Sequence, residues 1–357
     1  MIPYYMLILL GFCCCPLDYF QNRQVRFVFY AAYALLLMLF AGLRSVGVDN
    51  DSINYEDAFR LADKLDWSAL VSGAYDVTME RGYLLLNKVV SSVGGTVQGV
   101  FFIMSLLTSA VNYSLIYRKS PYPFTAIFTY ACFFYFYRDF TQIRFALSAG
   151  LSLWAIFALI DRKWLNALLL TLVACSFHSA ALVVGLLYVS QLVLKNKWFY
   201  LILPFAGLIG GFFDPIGHLF QWGGLPATLT NYVIADEFGR GGYVLSIIAQ
   251  LLLIGYCCYQ DKLRVEYPKR ALGLLYIALS LSSFINLLFI SFAIMLRLSL
   301  LLFGVILFMI PQLIKTLQSY REDRYSITAF HLLFLIYMLY YGLKMITPEI
   351  LQPYHIL

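Results

Sequence analysis

Charge is what this sequence has little of. Only 12% of its 357 residues are Asp, Glu, Lys or Arg, where a soluble domain carries roughly a quarter. Apolar runs of bilayer-spanning length recur along the whole chain instead, which excludes a soluble core. Hydrophobic residues make up 62% and aromatics 18% of the total. No basic stretch precedes the first apolar run, and the first charge is Asp18, so residues 2–17 read as a span and not as a cleavable leader. Metal-ligand spacing is also missing: His178, His218, His331 and His355 lie far apart. The seven cysteines all sit inside apolar runs, the pattern of small buried hydrophobes and not of a disulfide framework. No Gly-rich phosphate loop follows a strand, and no inward-facing loop could house a nucleotide domain. Metal, cofactor and nucleic acid are therefore not expected, and a nucleotide-sugar donor is disfavoured.

What is present is a regular alternation of apolar segments and basic clusters. Twelve segments are legible: about 2–17, 26–43, 97–117, 122–137, 141–160, 164–177, 179–194, 198–213, 243–259, 271–290, 293–314 and 327–346. Between them lie Arg23/Arg26, Arg118/Lys119, Arg162/Lys163, Lys195/Lys197, then Lys262/Arg264/Lys269/Arg270, and Lys315/Arg321/Arg324. If these six loops are cytoplasmic, the inner side carries net +9 and everything else −3. The positive-inside rule then puts both termini on the outer side. The expected fold class is all-α, polytopic and GT-C-like, a single transmembrane domain over 1–357 with two longer periplasmic loops at 44–96 and 214–243.

One stretch departs from the pattern. From Trp164 to Leu194 there is no charge other than whatever His178 carries, and basic clusters stand at both ends. A single tilted span would strand Lys195 and Lys197 outside. Two short segments meeting near Ser176-Phe177-His178-Ser179 keep both clusters inside, each too short for a full crossing of about 20 residues. The sequence therefore predicts a hairpin that holds His178 in a water-filled cavity below the outer surface. An interior histidine bonded to a neighbouring helix is the bland alternative, but ionisable groups at membrane depth are costly and point to function.

The cations outside the cytoplasmic clusters are mostly arginine: Arg44, Arg81 in "MERGY", Arg138 and Arg144 in "YFYRDFTQIRFALSAG", Arg240 and Arg297. Guanidinium stays charged and offers a planar fork to phosphate oxygens. Several of them at outer helix ends suit a lipid-linked phosphate or pyrophosphate, and they would also stabilise a departing pyrophosphate. Arg240 is flanked by Gly239, Gly241 and Gly242, which would let the backbone approach an anion. Asp49 and Asp51, about a turn past Arg44, and Glu80 before Arg81 supply carboxylates on the same side, any of which could serve as a general base. Within 44–96, "YLLLNKVVSSV" reads as an amphipathic or interfacial helix.

Several stretches occur in an order that resembles the EpsG-like family: "GLRSVGVDNDSINYEDAF", "ERGYLLLNKVV", "QIRFALSAG", "SFHSAALVVGLLY" and "QPYHIL". That resemblance covers nearly the whole chain. Residue by residue it points to Arg44, Asp51, Tyr55, Glu80, Gly82, Tyr83, Arg144 and His178. Asp49 stands where the family pattern expects glycine, Ser52 replaces its threonine, and Arg81 replaces a common proline, so Asp49 and Arg81 draw no support from the family.

The resemblance implies a Wzy-type polymerase of exopolysaccharide or O-antigen synthesis in the bacterial inner membrane, with its active site facing the periplasm. Such an enzyme moves a growing glycan from undecaprenyl pyrophosphate to a lipid-linked repeat unit. The implied partners are undecaprenyl-pyrophosphate-linked oligosaccharides, membrane lipid and a chain-length regulator protein. On this reading His178, or failing it Asp51, is the catalytic base, and Arg44, Arg144, Arg297 and Arg240 hold the pyrophosphate. Tyr55, Glu80, Arg81 and Arg138 are candidate sugar contacts. The competing readings are an O-antigen ligase or other polyprenyl-phosphosugar glycosyltransferase, a lipid-linked oligosaccharide flippase, an acyltransferase and a non-enzymatic scaffold. A flippase should show repeat symmetry and a polar path at the midplane, and neither appears.

Overall fold

The computed structural model describes residues 1–73, 75, 79–193, 196–223, 243–292, 295–319 and 324–356. It is an all-α polytopic membrane protein. Among the described residues, seven helices are long and apolar enough to cross a bilayer: Ile2–Tyr19, Arg23–Gly42, Val97–Lys119, Ile143–Ile160, Lys269–Leu288, Leu296–Ser319 and Tyr325–Lys344. The helices Tyr243–Cys258 and Gln260–Glu266 reach that length only taken together, and they are bent by 79° at their break. Three shorter apolar helices, Trp164–Phe177, Ser179–Ser190 and Lys197–Gly211, fall below crossing length. The break expected at His178 is present: one helix ends at Phe177 and a tight 3₁₀ turn begins at Ser179.

Contacts divide the chain into two compact units. The first comprises Met1–Leu151, Leu172–Ser179 and Leu317–Leu357. It begins with α1 (Ile2–Cys14) and α2 (Arg23–Gly42), the latter capped by Asn22, whose side chain accepts from Gln24 and Val25 amides. Between α2 and the next span come three short helices, α3 (Ser52–Lys64), α4 (Trp67–Ser72) and α5 (Arg81–Ser92). The "YLLLNKVVSSV" stretch is thus helical. It buries Tyr83, Leu84, Asn87 and Val90 in a cluster with Tyr55, Ala58, Val100, Phe101 and Met104.

Next come α6 (Val97–Lys119) and α7 (Pro123–Tyr130). Proline at the first position of α7 lacks the amide that would otherwise go unpaired. The next two amides bond to Asp18 across the fold, at 2.9 and 2.7 Å. The helix then widens into π geometry over Ala131–Thr141. Such segments are rare and gather at functional sites. This one precedes α8 (Ile143–Ile160), whose first turns belong to the first unit, as does the end of α9 (Trp164–Phe177).

The second unit, Ser152–Thr171 and Ala180–Thr316, is built around helix Lys269–Leu288. Helix Lys197–Gly211 lies against it with almost no gap. A β-carbon at Gly207 would fall 2.5 Å from the Phe284 carbonyl oxygen, and one at Gly211 2.3 Å from that of Leu287. Small residues four apart let membrane helices approach this closely. Polar side chains join helix Lys269–Leu288 to two other neighbours: Asn286 donates to Ser246 of Tyr243–Cys258 at 2.6 Å, and Ser282 donates to the Ser299 carbonyl of Leu296–Phe303 at 2.8 Å.

Candidate functional site

The loop after α2 builds the first part of the site. Gly47, at φ +89°, reverses the chain and donates its amide to Ser52 Oγ at 2.8 Å. Two isolated antiparallel bridges, Arg44 to Ile356 and Asp49 to Leu351, clamp this loop to the C-terminal tail. The bonds from Ser45 N to His355 O (3.1 Å) and from Gln352 N to Val48 O (2.9 Å) extend that clamp. Tyr354 stacks on Phe40 at 3.9 Å.

Under the clamp, Arg44 Nε donates to Asp49 Oδ2 at 2.8 Å, and both side chains are 0% exposed. Its Nη1 donates to the Ala41 carbonyl at 2.6 Å, and its face covers Phe101 and Phe140. The guanidinium is therefore enclosed, with Asp49 and not an exposed anion as its partner. The other Asp49 oxygen accepts from the Asp51 amide at 3.0 Å, which sets Asp51 at the start of α3. Tyr55, one turn on, is buried beside Arg144. Burial pushes its phenol well above the usual range, so it remains a neutral O–H.

Glu80 joins three elements. It precedes α5; one carboxylate oxygen accepts from Arg144 Nη1 in the second residue of α8, and the other accepts from the Ser179 amide at 3.2 Å. The Glu80 and Arg144 side chains are each 18% exposed, so this pair, unlike Arg44–Asp49, meets the surface. Arg144 Nε finds no acceptor among the described residues, and Tyr83 lies under the guanidinium at 5.7 Å. Gly82 explains how α5 comes so near: a β-carbon there would stand 2.6 Å from both the carbonyl and hydroxyl oxygens of Ser176.

His178 lies half-buried in the same place. Its carbonyl accepts from Ser148 Oγ of α8 at 3.2 Å, and its ring meets Phe145 edge-on at 5.1 Å. On the same Phe145 ring lies the Arg138 guanidinium, 4.0 Å from the centroid. Arg138 arrives on the π-helical segment and is buried. Asp51, Tyr55, Arg144, Glu80, His178 and Arg138 are thus joined by one continuous chain of contacts within the first unit.

The remaining candidates stand elsewhere. Arg81 is exposed and reaches back to the Ser72 carbonyl at 3.4 Å. Arg297 belongs to the second unit, near the start of helix Leu296–Phe303. Arg240, with most of the 214–243 loop, lies outside the described residues.

Sequence reasoning missed Phe145, Ser148 and Asp139. Asp139 is buried beside Arg138 and accepts hydrogen bonds from Tyr130 and Tyr113, while Asn112 donates to Tyr130 at 3.0 Å. A signal for it existed. "YRDF" sets two opposite charges side by side in an aromatic run, where neither is needed for topology.

The pattern that defines the EpsG family matches residues 27–356. The amylovoran biosynthesis protein AmsC of Erwinia amylovora is 25% identical over 280 residues, covering 74% of this chain and 73% of its own. No solved structure matches. With the family pattern running from within α2 to the penultimate residue of the tail, the chain belongs to the EpsG family.

Proposed function

We propose that the protein is a polysaccharide polymerase of the Wzy type, acting on lipid-linked glycans at the periplasmic face of the bacterial inner membrane. Membership of the EpsG family and likeness to a protein of amylovoran biosynthesis support polysaccharide synthesis. The single observation that carries the site is Glu80, whose carboxylate joins Arg144 to the Ser179 amide beside His178. A cation tied through Glu80 to the turn that carries His178 suits a glycosyl transfer with an anionic leaving group.

On this reading an acceptor hydroxyl attacks the anomeric carbon of the donor glycan. The bond from that carbon to undecaprenyl pyrophosphate breaks, and its electrons leave with the pyrophosphate. His178 takes the hydroxyl proton as the new glycosidic bond forms, with Asp51 as the alternative base. Arg144 neutralises charge on the departing pyrophosphate. Arg44 acts at one remove: paired with Asp49, it shapes the loop that presents Asp51. Tyr55 and Arg138 complete the walls toward the sugar. The energy comes from the pyrophosphate bond.

The test is deletion followed by complementation, with the surface glycan resolved on a gel. The wild-type chain should restore the ladder of repeats, and Arg144→Ala and His178→Ala at equal abundance should leave a single repeat. A complete loss of glycan on deletion would instead indicate a flippase or ligase. Normal ladders from both variants would remove the site assignment.

A further inference from the structure

The second unit contains a cavity of about 380 Å³ that the polymerase reading does not use. Its lining includes Lys197, Arg264 and Lys269 together with Trp198, Gln260 and Tyr276, and no carboxylate. Lys197 Nζ is steered by Gln260 Oε1 at 2.7 Å and lies 5.1 Å from the Trp198 ring. Among the described residues neither Lys197 nor Lys269 has an ion-pair partner. The pair from Arg264 to Asp261 is loose, at 3.8 Å, and the Asp261 side chain is 99% exposed. Three cations therefore converge on a space with almost nothing to neutralise them.

Position narrows the ligand. Lys197 and Lys269 each begin a helix, so two helix N-termini add positive potential to the same cavity. The 79° bend between Tyr243–Cys258 and Gln260–Glu266 turns the short helix away from the axis of its apolar neighbour, as a helix lying on a membrane surface does. Trp198 is exposed here, as tryptophans at the headgroup level are. Below it Ile202, Phe205 and Ile209 stand exposed along the same helix, a strip that acyl chains could cover. An anion held between Lys197 and Lys269 with a hydrocarbon tail along Ile202 and Ile209 satisfies both halves.

We propose that this cavity binds the phosphate-ester headgroup of an anionic membrane lipid, at the membrane face that the positive-inside rule assigns to the cytoplasm. The recognised chemistry is a phosphate ester, and the apolar strip makes the bilayer its source.

Native mass spectrometry of the full purified chain tests this, using phosphatidylglycerol, phosphatidylcholine and soluble glycerol 1-phosphate as probes. Wild type should retain phosphatidylglycerol roughly 30- to 150-fold better than phosphatidylcholine, as expected for two or three basic contacts near a membrane surface. The double variant K197Q/K269Q should lose that preference, K197R/K269R should keep it, and K262Q, on the short helix but outside the lining, should be unchanged. If K197Q/K269Q fails to fold, R264Q and the wild-type preference decide on the same criteria. Equal retention of the two lipids by wild type, or a preference that survives in a folded K197Q/K269Q, overturns the proposal. Binding of glycerol 1-phosphate as tight as that of phosphatidylglycerol overturns the lipid source.

Discussion

Among the residues of the site, two arginines of the same chemistry differ in surroundings, and their substitutions should fail differently. Arg44 is sealed with Asp49. Asp49→Ala leaves a buried guanidinium without its counter-charge, which costs about 3–5 kcal/mol. The expected result is a lower melting temperature in detergent and low abundance in the membrane. Replacing both partners by apolar residues of similar volume should recover much of that stability. Arg144 meets the surface, so Arg144→Ala should leave abundance near normal and slow polymer formation by about 10²–10³ if it stabilises leaving-group charge. Arg144→Lys should restore little, because an ammonium lacks the planar fork. Gly82→Ala belongs with the structural class. Its methyl group meets backbone at Ser176, and overpacking of this kind costs about 1–3 kcal/mol.

None of these distinctions was legible at residue scale in the sequence. Arg44 and Arg144 looked equivalent, two guanidinium groups near outer helix ends. Asp49, which departs from the family pattern, is the counter-ion that encloses Arg44, and Glu80 engages an arginine 64 positions away. Partner choice across such separations depends on which helices pack together.

Two elements bear on the site without supplying a reacting atom. The π-helical segment carries Arg138 to Phe145 and anchors itself through Asp139 on Tyr113 and Tyr130. Asp139→Asn can keep accepting one of those bonds, whereas Asp139→Ala leaves two buried phenols without their acceptor. The alanine variant should therefore be the less stable by about 1–3 kcal/mol, measurable as a fall in melting temperature relative to the asparagine variant. The C-terminal tail is the second element. A chain truncated after Ile350 loses both bridges to the Arg44–Asp49 loop and the Tyr354–Phe40 stack. It should insert normally yet form no glycan ladder, and limited proteolysis should cut first within 44–51. Normal polymer from the truncated chain would show that the tail is dispensable. The sequence did announce one such element, the break at His178, because two basic clusters separated by a mostly apolar stretch of 31 residues cannot both face inward across one span. The tail could not be foreseen in the same way. "QPYHIL" stands out as a motif, but its bridges to the Arg44–Asp49 loop are backbone to backbone and do not name their partner in side-chain pattern.

For the whole molecule, the charge distribution predicts topology. Single cysteines placed at Ser45 and Gln352, in a background with the native cysteines replaced, should react with an impermeant maleimide in intact spheroplasts. One at Lys119 should react only after permeabilisation. Labelling of Lys119→Cys from outside would reverse the orientation and move the site to the other face.

The all-α membrane fold and the twelve apolar segments follow from sequence alone. Hydrocarbon cannot hydrogen-bond a backbone, so any long apolar run in a bilayer closes its bonds within a helix, and composition suffices to say so. That Arg44 is enclosed while Arg144 reaches the surface, and that Glu80 draws Arg144 and the His178 turn together, were decided only by tertiary structure. These depend on close approaches, such as Gly82 on Ser176, between residues far apart in the chain. Linear order carries no record of such distances.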